Sequence, residues 1–225
     1  MTGRSTLAIH RRAKNYPPEP DALKPFGREL GILFTGELAL ANMRGHKSQT
    51  RRQRNLIEIN KRPDDFEVAR TAVEGGAKKT LLVVFRDRYN RRETTVKFPF
   101  GGIGAGFYQK EPYRVVGGDD AKVTVVFRAD YPQVWPDNLP KYPWKPAMYM
   151  RKAYSRFHGE ITGIRIERLQ AISEEDARDE GVEPSGGSYR AGFEALWGRI
   201  YDTATSWKRN PWVWVLEYKK REEEE

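Results

Sequence analysis

Residues 212–218 read Trp-Val-Trp-Val-Leu-Glu-Tyr, apolar at odd and even positions alike. In a strand, successive side chains point to opposite faces, so a run like this must be covered on both sides and takes a central place in its sheet. The elements before it are just as legible. Ile161, Ile164 and Ile166 mark a strand. Ser173 caps a helix whose first turn carries Glu174, Glu175 and Asp176, where carboxylates suit the helix dipole, and Gly181 closes it. Phe193, Leu196, Trp197, Ile200 and Tyr201 then recur at i, i+3, i+4, i+7 and i+8, the stripe of an amphipathic helix.

The body begins near residue 30. Ile32, Leu33 and Phe34 form a short buried strand. Thr35 caps a helix over Glu37–Arg44 with Leu38 and Ala41 inward, and Gly45 ends it. Residues 55–79 are polar, with a helix expected over Asp64–Val73 that ends at Gly75-Gly76. Strands follow at Thr80–Arg86 and Thr94–Phe98, joined by the turn residues Asp87-Arg88-Tyr89-Asn90. Val123–Arg128 is a further β-branched strand, and the proline- and tryptophan-rich residues 131–147 read as a long structured loop. Many short strands and few helices point to an α+β protein built on a partly closed β-barrel with flanking helices, not to a doubly wound sheet. Residues 1–29 form a basic, proline-rich N-terminal arm, in which Arg11, Arg12 and Lys14 are candidates for following a phosphate backbone. Residues 30–218 are the domain and 219–225 a charged tail.

Composition narrows the chemistry. The chain of 225 residues has no cysteine, three scattered histidines and a formal charge of +9. Disulfides and thiolate metal sites are excluded, and a histidine zinc site is not expected. No metal or cofactor is implied. No apolar run is long enough to span a membrane and no leader is readable, so a soluble cytoplasmic protein is expected. The positive field attracts polyanions. Gly101–Gly106 is followed by β-type Phe107-Tyr108 rather than a helix, so it does not fit a dinucleotide loop, and no nucleophile-elbow motif is present.

Two cationic segments stand out. His46–Arg54 holds Lys47, Arg51, Arg52 and Arg54 at a helix exit, where guanidinium forks suit phosphates. Met150–Arg156 sets Arg151, Lys152 and Arg156 around Tyr154, an aromatic that can stack on a base. Trp135, Tyr142 and Trp144 offer further rings. RNA, single-stranded nucleic acid or a modified nucleotide is the expected partner.

Three blocks resemble a known family. Gly31-Ile32-Leu33-Phe34, a helix, and Gly45-His46-Lys47-Ser48-Gln49-Thr50-Arg51-Arg52 resemble the opening of ASCH-domain proteins of phages and prophages, which read "ILF", a helix, then "G-x-K-T-Q-T-R-R". Gly104–Glu111 is similar in length to a second family block, with Ala105 and Tyr108 departing from it. Glu160–Ala177 with Glu180-Gly181, and Asn210–Glu217, follow the family most closely. The resemblance spans about residues 31–218, with unmatched insertions at about 55–97 and 112–145. It implies a PUA-like partly closed β-barrel with a cleft beside the first helix, and binding of RNA or modified nucleotides. Some small members remove an acyl group from acetylated cytidine with a Lys-x-x-Thr pair, which Lys47 and Thr50 reproduce. The same resemblance implies Thr50 as nucleophile and Lys47 as its base. It implies an assisting carboxylate too. The family register places Arg178 at or near that position, with Asp179 and Glu180 beside it, so the candidate assisting carboxylate is Glu180 or Asp179.

Overall fold

The computed structural model describes residues 29–75, 79–116, 124–131, 143–201 and 206–221. Residues 1–28 of the arm, residues Trp135 and Tyr142, and the last residues of the tail lie outside them. The main sheet has five strands: β1 (Leu30–Leu33), β6 (Gly106–Lys110), β9 (His158–Arg168), β10 (Trp212–Lys220) and β2 (Gln49–Arg52), in that spatial order. Only β1 and β6 pair in parallel; the other neighbours are antiparallel. A second sheet holds β3 (Phe66–Glu74), β4 (Thr80–Asp87) and β5 (Glu93–Lys97), and β7 (Tyr113–Val116) pairs with β8 (Thr124–Phe127). The helices are α1 (Gly36–Arg44), the single turn α2 (Ile57–Asn60), α3 (Glu174–Asp179) and α4 (Tyr189–Ile200).

The two-faced character of residues 212–218 is realised in full. Trp214, Leu216 and Tyr218 enter one apolar core with Phe34, Phe98 and Phe107, while Val213 and Val215 enter a second with Leu169, Phe193 and Trp197. The second sheet covers the first face. Phe85 meets the Trp212 ring edge-on at 5.4 Å, and Phe98 meets Trp214 at 5.4 Å. α3 and α4 cover the other face. The α+β class therefore holds, as two sheets around a shared core with helices behind. Among the described residues no strand joins β1 to β2, so the main sheet stays open-edged.

Two local expectations are corrected. The segment 64–73 is not a helix but β3, after a 3-10 turn at Pro63–Asp65. Its β-branched residues answer apolar partners across the pair, Thr71 opposite Val83 and Val73 opposite Leu81. Cross-strand pairing outweighs weak helical periodicity in so polar a stretch. Thr35 has the extended backbone of a cap, but its hydroxyl makes no cap bond, and Oγ1 is buried without a partner among the described residues. By contrast Ser173 does cap α3, accepting from the Asp176 amide at 3.0 Å. Gly45 closes α1 in the left-handed region, at φ 75°.

Candidate functional site

The cationic segment runs from the end of α1 into β2. Backbone bonds hold it on both sides: the Ser48 amide donates to the Asp179 carbonyl at 2.9 Å, and the Tyr218 amide donates to the Ser48 carbonyl at 2.8 Å. The segment is thereby clamped between the end of α3 and β10.

Lys47 is sealed from solvent. Its Nζ donates to Glu180 Oε2 at 2.6 Å and to the Glu180 backbone carbonyl at 2.7 Å, with side-chain exposures of 0% and 3%. Gly181 makes this approach possible. It sits at φ 76°, and a Cβ there would fall 2.8 Å from the Cβ atoms of both Ala41 and Lys47. Burial pulls the Lys47 ammonium down from 10.5 to about 8; Glu180 partly offsets this, while Arg52 and Arg51 push the same way as burial.

β2 then alternates. Gln49 and Arg51 face the carboxylates of α3 and β9. Arg51 donates to Glu167 Oε1 at 2.6 Å, to Asp176 Oδ2 at 2.9 Å and to Glu180 Oε1 at 3.1 Å. Burial opposes its charge, yet Glu180, Glu167 and Asp176 together raise its pKa. Gln49 and Arg165 complete the network by donating to Asp176 at 2.9 Å and 2.7 Å. Burial also works against the Asp176 charge, but Gln49, Arg51 and Arg165 hold its pKa below the usual range. Thr50 and Arg52 point to the other face. Thr50 is 2% exposed and lies opposite Leu216. The Arg52 guanidinium stacks 4.9 Å over the Phe34 ring, and the Lys47 ammonium lies 5.9 Å from the same ring.

The structure thus unites Lys47 with Glu180 and places Thr50 on the neighbouring strand, facing the Phe34 side. It disperses the nucleic-acid candidates. Lys47, Arg51 and Arg156 are neutralised inside the chain, Arg156 by Glu111 and Asp130 at 2.8 Å, so their charge does not face solvent as a phosphate contact requires. Arg52 donates to the Leu33 carbonyl. Lys152 pairs with Glu29 at 3.2 Å, and Tyr154 packs on Tyr113. Arg54 and Arg151 remain exposed, Arg54 above Phe100. Trp144 lies under the Arg114 guanidinium at 4.1 Å.

Two shallow clefts flank β2. One, of about 380 Å³, is lined by Gln49, Asp176, Asp179, Glu217 and Tyr218 among others; the second, of about 330 Å³, by Arg52, Arg54, Phe100 and Tyr201 among others. Sequence reasoning did not find Glu167 and Asp176 as partners of Arg51, nor Arg165, which shares both carboxylates with it. The available signal was Arg165-x-Glu167 on one face of a strand, opposite the acidic first turn of α3. A second buried polar chain also escaped it: Tyr218 Oη donates to Asn42, Asn42 to Gln109, and Gln109 to Glu111, each at 2.8 Å. Comparison with family models, with curated proteins and with solved structures finds no match to this chain.

Proposed function

We propose that this chain hydrolyses the amide of an acylated nucleobase, with Thr50 as nucleophile, Lys47 as its base and Glu180 as the proton partner of Lys47. The observation that carries the reading is the buried contact of 2.6 Å between the Lys47 ammonium and the Glu180 carboxylate. A lysine acts as a base only when neutral, and burial lowers the Lys47 pKa to about 8, which brings the neutral amine within reach near neutral pH. The Thr50 oxygen attacks the acyl carbonyl as its proton passes to Lys47 Nζ. The amine of the nucleobase departs with that proton, leaving an acyl ester on Thr50; water cleaves the ester as Lys47 takes its proton and returns it to the departing Thr50 oxygen. Thr50 and Lys47 are buried, so the reading requires the site to open for substrate.

The scaffold we infer is the PUA-like barrel of ASCH proteins, partly closed. Its support is the way the two sheets enclose one core around Trp214 and Phe98. Incubating the purified chain with acetylated cytidine and following free cytidine by chromatography tests the reaction. Turnover that Thr50→Ala and Lys47→Ala each reduce by about a hundredfold or more is expected. No turnover at high enzyme concentration overturns it for that substrate. A second reading, binding of RNA, single-stranded nucleic acid or a modified nucleotide without chemistry, is favoured by the net charge of +9 and by the exposure of Arg54 and Arg151. Retained binding without turnover selects it.

A further inference from the structure

With Lys47, Arg51 and Arg156 paired inside the chain, a further concentration of exposed cationic side chains stands out at the turn between β4 and β5. This turn, Arg88-Tyr89-Asn90-Arg91-Arg92, belongs to the 55–97 segment that the ASCH resemblance does not cover. Its backbone is stiff. Asp87 Oδ1 accepts from the amides of Tyr89 at 2.9 Å and Asn90 at 3.2 Å, and Asn90 Oδ1 accepts from the Arg92 amide at 2.9 Å. Across the turn the Asp87 amide donates to the Arg92 carbonyl at 2.9 Å. The Arg88 amide donates to the Asp65 carbonyl at 2.8 Å, which ties the turn to the chain entering β3.

On this base Tyr89 is 80% exposed, more than any other large apolar side chain among the described residues. Arg88 and Arg91 are 57% and 62% exposed; their ion-pair partner is Glu67, at 3.9 Å and 3.6 Å, too far for a hydrogen bond. Arg92 is exposed and makes no ion pair among the described residues.

We propose that this turn contacts single-stranded nucleic acid: Tyr89 stacks on an unpaired base, and Arg88, Arg91 and Arg92 hold the phosphates on either side. A ring on a preformed turn loses little conformational freedom when it stacks, and stacking accepts any base because each has a π face. The guanidinium forks match phosphate oxygens. A duplex hides its base faces, so the ring selects an unpaired strand, and the positive field of the chain speeds the encounter. An acidic protein surface would engage the arginines but has no base for the ring. The inference goes beyond the hydrolase reading and does not depend on it.

Fluorescence anisotropy of the full chain with labelled single-stranded RNA and DNA, over a range of salt, is the test. Tyr89→Ala is expected to weaken binding by about tenfold or more, with Tyr89→Phe close to wild type. Replacing all three arginines by glutamine is expected to lower the log–log salt slope by about 2. All four side chains are exposed, so circular dichroism should confirm an unchanged fold. Absence of binding at low salt overturns the proposal. So does wild-type affinity in Tyr89→Ala, or competition by duplex as effective as by single strand. Turnover of a free acylated nucleoside is untouched by these variants, so failure here and failure of the hydrolase reading are told apart.

Discussion

Lys47 shows how far a single residue can be moved from its ordinary chemistry. Its folded pKa, about 8, lies below the 10.5 of the unfolded chain. Between those values the unfolded state binds more protons, so Lys47 makes stability rise with pH in that window and has no slope below it. Denaturant titrations from pH 7 to 10.5 should show the wild type gaining on Lys47→Met through that range. Equal pH profiles would mean that Lys47 is not desolvated as described. Glu29 also makes stability rise with pH, in the acid range. Its hydrogen bond from His158 leads, burial opposes it, Lys152 adds to it, and the carboxyl is held at about 2. The stability Glu29 contributes is present above 4.5 and is lost as pH falls from 4.5 towards 2. Acid unfolding of Glu29→Gln should therefore be shallower than that of the wild type over that interval.

The two helix starts make a controlled pair at the scale of elements. Ser173→Ala removes a formed cap and should cost about 1 kcal/mol by chemical denaturation. Thr35→Val removes a buried hydroxyl that has no hydrogen-bond partner among the described residues, so its cost should be near zero or the chain should gain stability. A loss as large as that of Ser173→Ala would show that the Thr35 hydroxyl has a partner. Gly181→Ala adds a Cβ at positive φ and 2.8 Å from Lys47 Cβ; about 1–3 kcal/mol is expected, together with a displaced Lys47. Legibility divides along the same lines. Ser173, Gly45, Gly181 and the α4 stripe were readable because each signal is local to a few residues. The Lys47–Glu180 contact joins positions 133 apart in sequence, and no periodicity encodes that. β3 was misread for a related reason: its conformation is decided by β4 beside it, not by its own polar residues.

For the whole molecule, the segment that lies outside the ASCH resemblance is not an appendage. Leu56, Ile59, Phe66, Val83, Phe85 and Val96 all belong to the main core. Phe85 is fully buried against Trp212. Phe85→Ala should cost about 3–5 kcal/mol and lower the midpoint of one cooperative transition, the same probe reporting both sheets. A separate early transition for β3–β5 would instead make that sheet an independent unit. The two-faced strand was legible, but the identity of what covers it was not, because both cores recruit residues from distant parts of the chain.

The strand order has a consequence for how the molecule is made. β2 emerges early in synthesis, yet among the described residues its only strand partner is β10, and the carboxylates for Lys47 and Arg51 come with β9 and α3. A nascent chain that stops short of residue 212 therefore already carries Glu167, Asp176 and Glu180 for Lys47 and Arg51, but leaves β2 beside an unfilled strand position. Until the last strand leaves the ribosome, β2 has no β10 to pair with, and the growing chain exposes the edge of β9 to whatever other strand it meets.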